Sequence, residues 1–148
     1  LIQQTKGMTI EITNQIKEIN RVHRSLDRYL REKSLGEYDR KKVSIAVDEI
    51  LSNIISYAYQ DQGRHLIRIN LECTEDKLIL EFLDDGKPFD PIEFIRNTEG
   101  RSAEDLDRIG GLGLKLVGRL MDRLDYLRQG NQNKLTLELN YSKNYIDS

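Results

Sequence analysis

The chain has no tryptophan, one cysteine and two prolines in 148 residues, and each scarcity excludes something. A lone Cys73 closes no internal disulfide, and without a C-x-x-C pair there is no zinc clamp. The fold must therefore stand on its core, and a reducing cytoplasm is the expected setting. Pro88 and Pro91 fall in one stretch, so no proline-marked linker divides the chain. No apolar run approaches the roughly 20 residues of a membrane span, and no secretory-type segment opens the sequence, so no membrane partner is expected. Lys and Arg number 23 against 25 Asp and Glu, a formal charge of −2. With no positive excess to neutralise phosphates, nucleic acid is not an expected partner.

What is present suffices for a single domain over 1–148. Area scaling allows about two-thirds of the unfolded surface to be buried at this size. A short alternating segment over 8–12 reads as a strand. Ile16, Ile19, Val22, Leu26 and Leu30 recur at helical spacing, which predicts a first helix ended by Gly36. A second helix is expected from Asp39, as its N-cap, to Tyr59. Ile67, Ile69, Leu71 and Cys73 alternate with polar residues as in a half-buried strand, and 77–83 is apolar on both parities, as in an interior strand. Residues 84–109 read as a long irregular stretch, of the kind that is functional or mobile. A helix after 110–113, a strand near 125–128, a Gly130-Asn131 turn and a last strand over 135–141 complete the chain. The expected class is α/β (α+β): a two-layer sandwich with helices on one face of a mostly antiparallel mixed sheet.

Three constellations stand out. On the widely apolar second helix, Glu49, Ser52, Asn53 and Ser56 form a polar stripe one residue wide. A carboxylate and a carboxamide one turn apart on a buried helix need partners, because each unsatisfied group costs about 1–3 kcal/mol. The stripe either faces water or handles a proton and a cation. Second, Asp84-Asp85-Gly86-Lys87-Pro88-Phe89-Asp90-Pro91 begins where the interior strand stops. An acid there can accept a hydrogen bond from an exocyclic amine, although D-x-G also occurs in ordinary turns. Third, Gly110-Gly111-Leu112-Gly113-Leu114 opens a helix. Its N–H groups suit a phosphate, or the glycines are a hinge. The segment lacks both the G-K-[ST] ending of a P-loop and the spacing of a dinucleotide turn.

In combination and order, E-x-x-x-N, D-x-G-x-P and G-G-L-G-L resemble the three boxes of the GHKL ATPases. Residues 46–59, 84–91 and 111–116 with Met121-Asp122 are similar in finer detail to the anti-sigma factor serine kinases of bacteria, over about 8–141. The resemblance implies a Bergerat-type ATP-binding fold with ATP and Mg²⁺ as cofactors and a lid within 84–112. It implies Glu49 as general base, Asn53 as the Mg²⁺ ligand and Asp84 as acceptor of the adenine amine, supported by Thr136 on the last strand. Gly86, Gly110, Gly111, Leu112, Gly113 and Leu114 complete the implied nucleotide site. The implied activity is transfer of the γ-phosphate to a serine of an anti-anti-sigma (STAS-domain) protein. A sigma factor is a further implied partner, and pairing as a homodimer is implied as well. The alternative is a non-catalytic module that binds a regulator and uses ATP to set its shape; a switch-type kinase that holds no sigma factor fits every motif too. Two departures from the pattern concern the phosphates. Tyr57 stands where many members carry histidine, and Gly110 where many carry Arg or Ser, leaving Arg108 or Lys87 to supply a cation. His23 and His65 read as surface histidines, Cys73 as core, and 99–107 as a solvated lid.

Overall fold

The computed structural model describes residues 7–141; the two ends of the expected 1–148 domain lie outside the described residues. Five strands form one sheet in the order β1-β2-β3-β5-β4: β1 (Met8–Thr13), β2 (Leu66–Cys73), β3 (Lys77–Asp84), β4 (Arg123–Gln129) and β5 (Gln132–Asn140). All four pairings are antiparallel, so the sheet is not mixed. Hairpins join β2 to β3 and β4 to β5, and the second hairpin inserts β5 beside β3.

Alternation decides which face is covered. Ile10 and Ile12, Ile67, Ile69 and Leu71, Leu78, Leu80 and Phe82, and Leu135, Leu137 and Leu139 all point inward. They meet helices α1 (Ile19–Glu32), α2 (Glu37–Tyr57) and α5 (Leu112–Leu120) through Val22, Leu26, Val43, Val47, Ile50, Leu114 and Val117. The opposite face is laced by Glu11–Arg68, Lys134–Glu81 and Lys77–Glu138 ion pairs. Such half-exposed cross-strand pairs contribute about 0.2–1 kcal/mol each, so the stability lies in the apolar layer.

Several local expectations change. Ile16 sits in a 3-10 turn, Ile16–Glu18, and is exposed, so the first helix begins at Ile19. That helix ends at Glu32, and Ser34 rather than Gly36 supplies the stop. Ser34 takes a left-handed φ of 64°, Leu35 N–H donates to Leu30 O and Ser34 N–H to Arg31 O, closing the paired bonds of a Schellman ending. Gly36 is the extended residue before α2, and Asp39 lies in that helix's first turn, where the dipole favours an acid.

The stretch after β3 is not irregular. It holds α3 (Pro91–Asn97) and α4 (Ala103–Arg108). Asp90 caps α3 by accepting from Ile92 N at 2.9 Å, with Pro91 at the first helical position, and Ser102 caps α4 by accepting from Asp105 N at 3.1 Å. Leu106 is fully buried and Phe94 and Ile95 pack on the core, so this segment has apolar anchors that its polar composition concealed.

Candidate functional site

Where β3 ends, the chain turns under the C-terminal end of α2. Gly86 lies so close to Ala58 that a Cβ would stand 2.5 Å from the alanine methyl, while Lys87 N–H donates to Ala58 O at 2.9 Å. This contact aims Asp84, 5% exposed, into a cavity of about 180 Å³. Ile50, Ile54, Phe89, Leu114 and Leu135 form its apolar walls, and Asn53, Lys87, Gly110, Tyr126 and Asn133 supply polar groups. Asp84 Oδ1 accepts from Gly86 N–H at 2.9 Å and from Asn133 Nδ2 at 2.9 Å. Burial raises the carboxyl pKa, and these two donors pull it back.

Asn133 sits at the centre of this end. Its Nδ2 also donates to Lys87 O at 2.9 Å, and its Oδ1 accepts from the Tyr126 hydroxyl. Arg128 Nη1 donates to Gly86 O at 2.7 Å. The hairpin β4–β5 thus holds the turn that carries Asp84. Thr136, expected in this supporting role, is on the other face of β5, opposite Glu81 and Asp125. Strand parity explains the difference: Asn133 shares the inward parity of Leu135 and Leu137, and Thr136 does not. That signal was legible in the sequence.

A second cavity of about 200 Å³ is lined by Glu49, Ser52, Asn53, Ser56, Tyr57, Gly110 and Leu114. Asn53, Tyr57, Gly110 and Leu114 line both cavities, which therefore adjoin. The polar stripe of α2 is one wall of the second. Helix α5 starts against it with Gly111 at the N-cap and no side-chain cap, leaving first-turn N–H groups to a ligand. Gly110 has φ +73°, a backbone conformation that suits glycine. Gly113 is in closest approach to the stripe: a Cβ there would lie 1.9 Å from Glu49 Oε2.

The structure therefore brings Glu49, Asn53, Asp84, Gly110 and Leu114 around two adjoining cavities, with Gly113 against Glu49. Gly86 shapes the first cavity from behind. Gly111 is buried against Phe94 and Leu106, and Leu112 is exposed outside the cavity walls. Lys87 lines the first cavity, whereas Arg108 is exposed and ion-paired with Asp105. Tyr57, 57% exposed, stands at the mouth where the cavities join. Among the described residues no metal-binding cluster of His, Cys, Asp and Glu occurs, and no helix is long and apolar enough to cross a membrane.

Known proteins resemble this chain in sequence and in fold. Residues 12–139 match the family described as "Histidine kinase-like ATPase domain". A serine/threonine-protein kinase, BtrW, of Bordetella bronchiseptica is 33% identical over 66% of this chain and 68% of its own length. An anti-sigma F factor of Clostridium beijerinckii is 30% identical over 68% of this chain and 70% of its own. The solved RsbU and RsbW domains of a Mycobacterium tuberculosis protein superpose on 94% of this chain, and on 33% of theirs, with a TM-score of 0.64. At 15% identity that likeness concerns the fold.

Proposed function

This chain belongs to the histidine kinase-like ATPase family, and we propose that within it the chain is a regulatory serine kinase. It transfers the γ-phosphoryl of ATP to a serine of an anti-anti-sigma partner of the STAS type. The observation that carries this reading is the pairing of Glu49 and Asn53 on α2, in a cavity that adjoins the pocket of Asp84 and shares Asn53 with it. The relatives named serine/threonine-protein kinase and anti-sigma F factor support it.

The fit to ATP rests on three features of the site. An apolar slot ends in a buried carboxylate whose Oδ1 is already satisfied, which suits a base carrying an exocyclic amine. The uncapped start of α5 suits phosphate oxygens. The side chain of Asn53, between the two, offers an oxygen ligand to Mg²⁺. That ion would neutralise charge on the phosphates as the γ-phosphoryl leaves.

In the transfer, the acceptor serine approaches past Glu49. The carboxylate orients the hydroxyl and takes its proton, the serine oxygen bonds to the γ-phosphorus, and the bond to the β-phosphate oxygen breaks to release ADP. Positioned base assistance of this kind contributes about 10²–10⁴ in rate. Gly113 is what allows α5 to come near enough to hold Glu49 beside the phosphates.

The partners in this reading are an anti-anti-sigma protein and a sigma factor, which makes the cytoplasm the place of action. A homodimer fits an open sheet edge: among the described residues β1 pairs only with β2, which leaves its other side to a second copy. Tyr29, Val22 and Ile10 (6% exposed) are core residues, so they cannot broaden such a contact, and Ile10→Lys would strike the fold. Light scattering checks the pairing: a mass near twice 17.3 kDa supports it and a mass near 17.3 kDa rejects it.

The function is tested by incubating the chain with γ-labelled ATP, Mg²⁺ and purified regulators encoded beside its gene. Label appearing on serine of one of them is the expected result. Binding of ATP and of a regulator without transfer would favour the non-catalytic module.

A further inference from the structure

We propose that Tyr126 and Asn133 act as a relay that positions Asp84 and makes the cavity discriminate between purines with a 6-amino and a 6-oxo group. The inference rests on the reading of this cavity as a nucleotide site. Its basis is the direction of a hydrogen-bond chain. The Tyr126 hydroxyl donates to Asn133 Oδ1. That fixes the carboxamide with its NH₂ toward Asp84 Oδ1, Gly86 O and Lys87 O, at 2.9, 3.3 and 2.9 Å. Every one of those three groups is an acceptor, so a flipped amide would set oxygen against oxygen.

The consequence falls on Asp84. With Oδ1 taken by Gly86 N–H and Asn133 Nδ2, the carboxylate is fixed about its own axis. Among the described residues no hydrogen bond ends on Oδ2. An ionised, oriented oxygen in an apolar wall accepts from a 6-amino group and repels a 6-oxo group. A site built to use one polar partner rejects its analogue strongly, because the buried group is then left unpaired. Neither Tyr126 nor Asn133 has to touch the base for this; they are positioning residues.

Loss of the relay has a distinctive signature. Besides Asn133, Asp84 is faced by Asp85, by Arg128 from β4, by the Tyr126 hydroxyl and by Tyr59 beyond α2. Removing the Asn133 donor takes away a group that lowers the carboxyl pKa, so the acid protonates at higher pH. A protonated Asp84 offers a donor, and a 6-oxo base then becomes acceptable. Discrimination should fall, and fall further as pH is lowered.

The experiment is calorimetric titration of the full chain with Mg·ATP and Mg·ITP at two pH values. The proteins are wild type, Tyr126→Phe, Asn133→Leu and Asn133→Thr. Wild type is expected to prefer ATP by tenfold or more. Tyr126→Phe, which removes one oxygen from a half-buried ring, should cut the preference several-fold. Asn133→Leu should cut it about tenfold, and Asn133→Thr, whose hydroxyl can donate to Asp84, should restore part of it. A structural defect alone would weaken both nucleotides and leave their ratio unchanged. If Asn133→Leu does not fold, Tyr126→Phe still decides. An unchanged ratio in the folded variants overturns the relay while leaving the ATP site standing. A wild type that binds both nucleotides equally overturns the discrimination and the relay while leaving the nucleotide site standing, and one that binds neither overturns the nucleotide reading as well.

Discussion

The two ends of the candidate site are built on opposite principles. At the base end, Asp84 and Asn133 are buried and hydrogen-bonded to one another, to backbone groups of 86–87 and to Tyr126. At the phosphate end, no hydrogen bond or ion pair among the described residues engages the side chains of Glu49, Ser52, Asn53 or Ser56, and α5 starts uncapped. The base end carries its network in the folded chain, which suits a rigid, largely apolar base. The phosphate end keeps its polar groups in a wide opening, where water satisfies them until a charged ligand takes over. In the proposed reading, recognition is preorganised at one end and chemistry is left accessible at the other.

The largest separation of the two ends should come from Glu49→Gln. The amide keeps the shape but takes no proton, so phosphoryl transfer should drop about 10²–10⁴-fold while nucleotide affinity measured by calorimetry stays near wild type. Transfer at the wild-type rate would remove Glu49 as base. Gly113→Ala tests the same end from the other helix. Its new methyl meets Glu49 Oε2, and displacing a reacting group by about 1 Å costs on the order of 10²-fold in rate. Circular dichroism should show the fold intact; normal turnover in this variant would mean that Glu49 need not sit where it does.

Asp84→Asn acts on the base end. Its NH₂ would meet the donor on the base, and ATP affinity should fall by roughly 10–100-fold, the worth of a charge-assisted hydrogen bond. Undiminished affinity would take Asp84 out of base recognition. A smaller effect is expected between the ends, at the segment holding α3 and α4. Trypsin should cut at exposed Arg101 and Arg108, and saturating Mg·ATP should slow that cutting several-fold if the segment closes over nucleotide. Equal rates would make it a fixed wall.

The smallest effect lies behind the base end. His65 stacks on Tyr59 and is hydrogen-bonded to Asp61 at 2.8 Å and Asp85 at 3.2 Å. The bond to Asp61 is the main cause that raises the His65 pKa and lowers that of Asp61. The histidine contribution is therefore full below its unfolded pKa and disappears as pH rises through its folded value. The Asp61 contribution is present above the usual carboxylate range and is lost as pH falls through its folded value. The melting temperature should decline slightly from about pH 6 to 8, and His65→Asn should flatten that part of the curve. An identical slope in the variant would assign the pH dependence elsewhere.

Much of this was readable before any coordinates. Strand parity marked the inward faces of β2 and β5, and the stripe on α2 stood out because it is narrow on an otherwise apolar helix. The segment after β3 was harder. Its helices are seven and six residues long, too short for periodicity to register, and are set by the Asp90 and Ser102 caps. The end of α1 escapes the sequence pattern for a related reason: Ser34 adopts the left-handed conformation that glycine usually takes, and tertiary packing of buried Leu35 holds it there.

By itself, then, the sequence determined the layer architecture, the covered face of the sheet and the order of the three motifs, because these follow from local periodicity and from glycine and acid chemistry. Only the tertiary structure decided which residues meet. Asn133 lies 49 positions from Asp84, and Gly113 lies 64 from Glu49, yet the first pair is in hydrogen-bond contact and the second leaves no room for a methyl group. Such contacts depend on where β5 inserts and on how closely α5 approaches α2. Those distances are set by packing of the whole core, and no local pattern in the chain encodes them.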